Sequence, residues 1–170
     1  ELIYNNFFII ISGLDETLIL VIVSLSLGFF ISIPFALARV SSIKILSKSV
    51  YFYVFVIRGT PLLVQIYLIY YGLGTIEYVR ESFLWIVLKD PFYCGVLALV
   101  LNTVAYTTEI FRGGIQSVTI GQIESCKSLG MSRIAMYRKI ILPCAFRQAL
   151  PGYGNEMILM VKSTSLVSLI

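Results

Sequence analysis

Residues 17–38 form a run of 22 residues without a single charge, and no other feature constrains the fold as tightly. As a helix rising about 1.5 Å per residue, such a run crosses a hydrocarbon core of roughly 30 Å. No basic segment precedes it and it is too long for the apolar region of a signal peptide, so it reads as a permanent membrane span. Gly28 and Pro34 lie inside it. In a membrane helix they are tolerable, one as a packing contact and the other as a kink, because neighbouring helices satisfy the disturbed backbone. Composition agrees: 58% of the residues are hydrophobic and 13% charged, against roughly 45–50% apolar residues in soluble domains. A soluble fold of this length needs more polar surface than 13 basic and nine acidic side chains supply.

The rest of the chain divides in the same way. Residues 50–73 are apolar but are cut by Arg58-Gly-Thr-Pro61, which predicts a surface-lying lead-in, a turn and then a span. Residues 92–110 form a third span, with Asn102 inside it and Glu109 at its end. Residues 140–161 form a fourth, weak one, interrupted by Pro143, Arg147, Pro151 and Glu156, and a helix this polar should face other helices or a water-filled path. Residues 83–88 are too short to cross, and 163–170 should begin a connection to a further helix. The chain starts at Glu1 and ends on an apolar run, so it reads as a fragment with a fifth span expected beyond its C-terminus. The expected fold is one all-α transmembrane domain over residues 1–170, a multispanning bundle of about four spans.

Charge placement orients it. Residues 39–58 hold Arg39, Lys44, Lys48 and Arg58, and residues 112–147 hold six more basic residues. The loop 74–91 holds only Arg80 and Lys89, and nothing basic precedes residue 17. By the positive-inside rule the N-terminus is outside, the first and third spans run inward and the second and fourth outward. Arg58 and Arg112 then flank spans on the inner side, where phosphate anchoring is the ordinary role, and Glu109 has Arg112 at a spacing of three on one helix. Cys94, Cys126 and Cys144 lack metal-ligand or redox spacing and the chain has no histidine, so neither a zinc site nor a disulfide framework is implied.

Residues 113–139 are too polar for lipid and too patterned for a simple loop. Gly130 stops one short helix and Ser132 caps the next. Ile123 and Cys126 on the first, and Ile134, Tyr137 and Ile141 on the second, recur at helical spacing, so each helix shows an apolar strip to a membrane surface or to a partner protein. The segment Gly121-Gln-Ile-Glu-Ser-Cys-Lys-Ser-Leu-Gly130, followed by Ile140-Ile-Leu-Pro143, resembles the EAA loop of ABC importer permeases, with Ser125 and Cys126 where the family usually has two alanines. Gly13-Leu-Asp-Glu-Thr-Leu18, Arg58-Gly-Thr-Pro-Leu-Leu-Val-Gln65, Glu109-Ile-Phe-Arg-Gly-Gly-Ile115 and Lys162-Ser-Thr-Ser-Leu166 are similar to the polar amino acid uptake branch, with Ser163 in place of the more usual Asp.

The resemblance implies a permease subunit of a type I ABC importer in the cytoplasmic membrane of a bacterium. Such a subunit pairs with an identical or homologous permease, is driven by a cytoplasmic ATPase dimer, and receives its amino acid from an extracytoplasmic binding protein. ATP belongs to the ATPase, and this chain has no Gly-x-x-x-x-Gly-Lys-Ser/Thr loop, no catalytic residues and no cofactor of its own. The loop 113–139 becomes the coupling element, with Gly121, Glu124, Ser125, Cys126, Leu129, Gly130 and Arg133 as candidate ATPase contacts. Asn102 and Glu156 are polar groups at membrane depth and, with Tyr106, are the candidates for the substrate pathway. Thr103 and Thr107 are placed on the same face as Asn102, and Arg147 and Lys162 are the nearest basic residues in sequence to pair with Glu156. A membrane enzyme would need clustered histidines or paired carboxylates, and an ion-coupled transporter usually carries an internal repeat, neither of which is found.

Overall fold

A computed structural model describes the backbone of residues 2–170 and the side chains of residues 13–170, and among these residues the regular structure is entirely helical. Helix α1 (Leu2–Arg39) is followed by α2 (Lys44–Gly59) and α3 (Leu62–Tyr67), which continues through a π turn at Leu68–Gly72. Two single turns, α4 (Glu77–Arg80) and α5 (Trp85–Leu88), lead into α6 (Pro91–Gln116). Then come α7 (Ile120–Ser128), α8 (Arg133–Met136) with a π turn at Tyr137–Ile141, α9 (Leu142–Ser163) and a 3₁₀ segment, Thr164–Leu169.

Two helices have the length and apolarity of spans, Gly13–Arg39 within α1 and Pro91–Gln116. The pair Lys44–Gly59 and Leu62–Gly72 counts as a third only if taken together, because it bends by 105° at Thr60 and Pro61. The break expected at Arg58-Gly-Thr-Pro61 is there, but the helix after it, Leu62–Gly72, does not qualify as a span without α2. Thr60 and Pro61 are both extended (ψ 141° and 136°), as steric restriction before and at proline favours. Gln65 holds the bend shut: its Nε2 donates to the Ile57 carbonyl (2.7 Å), the Thr60 carbonyl (3.0 Å) and Thr60 Oγ1 (2.9 Å). Backbone acceptors freed by the break thus find a buried donor.

Helix α6 is the hub. It begins with Asp90 as N-cap, accepting from the Phe92 amide, with Pro91 in the first turn, where the missing amide costs nothing. It packs on α1, α2, α3 and α9, and Cys94, Ala98, Leu99, Thr103, Ala105 and Thr107 have no exposed surface. Small residues set these approaches. A Cβ on Gly28 would stand 2.4 Å from Thr103 Cγ2, and one on Gly114 would stand 2.5 Å from the Ala145 carbonyl oxygen. In lipid, close packing replaces the hydrophobic effect as the force between helices, and small residues permit it. Gly28 therefore has the packing role expected of it, while Pro34 is accommodated inside a continuous α1.

Helix α9 is 22 residues long but falls short of the apolarity of a span. Its Ala145, Ala149, Glu156 and Met160 are buried, so this polar helix leans on the bundle, as expected, without itself qualifying as the fourth span. The last residues do more than begin a connection: Val167 in the 3₁₀ segment is buried and packs where a Cβ on Gly95 would stand 2.4 Å from Val167 Cγ1.

Candidate functional site

The three side chains proposed for the pathway come together. Asn102 and Tyr106 on α6 and Glu156 on α9 line one cavity of about 470 Å³ with Arg58, Pro61 and Leu62. Spacing explains the first two: residues four apart on a helix share a face. Glu156 is 6% exposed and, among the described residues, makes neither an ion pair nor a hydrogen bond. The suggested partners Arg147 and Lys162 do not bind it; the guanidinium that shares its cavity is Arg58, on α2. Sequence proximity suggested the first two, whereas the 105° bend brings up the third.

Asn102 does two things. Its Nδ2 donates to Gln65 Oε1 at 3.3 Å, tying the wall of the cavity to the lock of the bend, and its side chain also faces the cavity. The sequence places Gln65 only at the end of the Arg58–Gln65 stretch and gives it no role, although a glutamine inside an apolar run four residues after Pro61 is its signal. Thr103 and Thr107 do not share Asn102's face. Both are fully buried, outside the cavity lining, with hydroxyls that have no partner.

At the far end of α6, Glu109 is shared. Its Oε2 accepts from Arg112 Nε at 2.7 Å, and its Oε1 accepts from Arg39 Nε on α1 at 3.1 Å. Arg112 is the i,i+3 partner expected, and Arg39 is one that only the α1–α6 packing supplies. Arg39 also sits over the Tyr51 ring of α2, 5.0 Å from its centroid, so one carboxylate helps to hold three helices.

The loop after α6 forms the predicted helix, stop and helix. Thr119 and Gln122 form a capping box at the start of α7, a Thr-x-x-Gln signal the sequence reading passed over. Gly130 has φ +70°, the left-handed stop, and Ser132 caps α8 by accepting from the Ala135 amide. The apolar strips, however, are mostly turned inward, Ile134 excepted. Cys126 is buried with Val118, Met136 and Ile141, and Ile123 and Tyr137 pack around them, so the strips close on each other. At the surface are Leu129 (80% exposed) and Ile134 (81%) on either side of the Gly130 turn and Ile120 at the start of α7, with Gly121, Glu124, Ser125 and Arg133 also exposed. Of the seven candidate ATPase contacts, Cys126 is therefore an internal packing residue.

A broken helix beside a hub helix, a polar cavity between them and a projecting helix, turn and helix together describe a transport permease subunit. Residues 27–170 match the family described as binding-protein-dependent transport system inner membrane component, and the chain belongs to that family. It is 50% identical over its whole length to the nopaline transport system permease of Agrobacterium fabrum, covering 71% of that protein. It is 46% identical over 91% of its length to the histidine/lysine/arginine/ornithine permease of Escherichia coli K12, covering 66% of that protein. A solved structure described as an amino acid ABC transporter with histidines superimposes with a TM-score of 0.85 at 40% identity, over 98% of this chain and 74% of that one.

Proposed function

We propose that this chain is the permease of an importer for cationic amino acids, that the cavity around Glu156 is part of the route, and that α7, the Gly130 turn and α8 dock into a partner ATPase. The observation that carries this reading is a carboxylate buried to 6% exposure, with no ion-pair or hydrogen-bond partner among the described residues, lining a cavity with Arg58, Asn102 and Tyr106. An uncompensated carboxylate there is costly, and a ligand's ammonium or guanidinium group supplies the missing charge. The relatives whose names specify nopaline, octopine, arginine and histidine/lysine/arginine/ornithine transport support a ligand of that kind. Family membership supports a second permease, an ATPase pair and a binding protein as its partners. Exposed Leu129 and Ile134 give the ATPase an apolar grip.

The test is uptake of one labelled amino acid against a panel of unlabelled ones, at matched expression. Glu156→Gln should change the ranking, lowering the preference for cationic over neutral competitors. Asn102→Ala should weaken the preferred ligand by about five- to a hundredfold, the equivalent of roughly 1–3 kcal/mol for a buried hydrogen bond left unmade. An unchanged panel for both variants would move these residues to scaffolding.

Orientation has its own test. Set Arg58 aside as a cavity residue, and basic residues still favour one side by nine to three, so the α7–α8 loop should face the cytoplasm. Cys126 is buried and would hide from a label. Ser125→Cys is exposed and should resist impermeant thiol reagents in intact cells but react in inverted vesicles. Labelling in intact cells would reverse the topology.

A further inference from the structure

Arg58 has no role yet. Phosphate anchoring, its ordinary role at a span end, does not fit its position. Its guanidinium is engaged within the bundle, 5.0 Å from the centroid of the Tyr106 ring of α6. Arg58 lines the same cavity as Glu156, yet the two form no ion pair, the described ion pairs being those of Glu109 with Arg39 and Arg112. Two opposite charges facing one cavity attract each other strongly in a poorly screened medium. Here each is held on its own wall.

The wall that carries Arg58 is rigid. Arg58 lies in the last turn of α2, between the Ile57 and Thr60 carbonyls that Gln65 fastens, and Asn102 fastens Gln65 in turn. The Arg58 Cζ lies over the Tyr106 ring, a cation–π contact that uses none of the guanidinium's N–H donors. Those donors lie around the edge, in the fork geometry that fits a carboxylate, and none donates to a described residue. The cavity of about 470 Å³, within the roughly 300–1,000 Å³ of small-molecule sites, is thus lined by a carboxylate and a guanidinium that have no ion-pair or hydrogen-bond partner among the described residues. An α-amino acid with a cationic side chain carries the complement of both.

Resting on the reading of this cavity as the amino acid site, we infer that Arg58 is the specificity-determining residue for the substrate's α-carboxylate, while Glu156 takes a cationic group. The division separates two kinds of selectivity. Arg58 discriminates amino acids from the corresponding amides, and Glu156 discriminates cationic from neutral side chains. A lysine keeps the charge but loses the fork and the flat face, so Arg58→Lys retains part of the discrimination.

The experiment measures equilibrium binding of labelled L-arginine to the purified permease–ATPase complex without its binding protein, so that the permease's own selectivity is read. The competitors are L-argininamide, which keeps the cationic groups and lacks the carboxylate, and L-citrulline, which keeps the carboxylate and lacks the side-chain charge. Wild type should prefer arginine over both. Arg58→Gln should weaken arginine by about tenfold or more, as for a lost charge-assisted hydrogen bond. It should also bring argininamide level with arginine while leaving the preference over citrulline. Glu156→Gln should do the reverse, and Arg58→Lys should fall between wild type and Arg58→Gln. The inference is overturned if Arg58→Gln keeps the wild-type arginine-to-argininamide ratio, or if Arg58→Lys and Arg58→Gln both lose every ligand, which is the behaviour of a scaffold residue. A wild-type complex that shows no preference for arginine over citrulline overturns the reading of Glu156 instead.

Discussion

Gly114→Leu should prevent the subunit from accumulating as a folded membrane protein, whereas Gly113→Leu, one residue away, should leave it folded. A Cβ at 114 would stand 2.5 Å from the Ala145 carbonyl oxygen and 3.3 Å from its Cα. Those are backbone atoms, so no rotamer change on α9 relieves the clash, and α6 and α9 must separate. Overpacking of this kind costs at least about 1–3 kcal/mol, and each further leucine carbon adds to it. At 113 the added side chain meets nothing within 4 Å, and removing a glycine from a helix interior contributes up to about 1 kcal/mol. Thermal unfolding of the detergent-solubilised protein reads both. Equal melting temperatures would mean that α6 and α9 do not cross where Gly114 meets Ala145.

Gly130→Trp should leave the subunit in the membrane and abolish transport. The residue has φ +70° with open space around its missing Cβ, so an L-residue there suffers backbone strain of roughly 1–2 kcal/mol but no collision within its own chain. The strain is small beside the packing of the Val118, Cys126, Met136 and Ile141 cluster beneath the turn. Between exposed Leu129 and Ile134, an indole would project from the surface proposed to enter the ATPase. Gly130→Asn, which tolerates the left-handed conformation, separates strain from obstruction. It should retain transport and ATPase co-purification where the tryptophan variant loses both. Normal transport with tryptophan in place would remove this turn from the coupling surface.

The helix, stop and helix after α6 shows how far local signals reach. Gly130 and Ser132 mark its stop and restart because a left-handed terminus and an N-cap depend only on the residue itself and its immediate neighbours. The direction of its apolar strips was a different matter. Ile123 and Cys126, or Tyr137 and Ile141, have the same periodicity whether they face lipid, a partner or each other, and only the fold of the hairpin back on itself turned them inward.

The sequence by itself determined that this chain lives in a bilayer, where its first and third spans lie, that the second apolar stretch breaks at Arg58-Gly-Thr-Pro61, and to which family it is similar. All of these follow from runs, periods and short motifs whose physics is local. Tertiary structure alone decided which charges meet. Arg39 reaches Glu109 across 70 positions, and Gln65 reaches Asn102 across 37. Arg58 shares a cavity with Glu156, whose nearest basic neighbours in sequence stand elsewhere. A side chain's partner is fixed by how helices cross, and the crossings are set by contacts such as Gly28 on Thr103 and Gly114 on Ala145, between residues that carry no mark of each other in the chain.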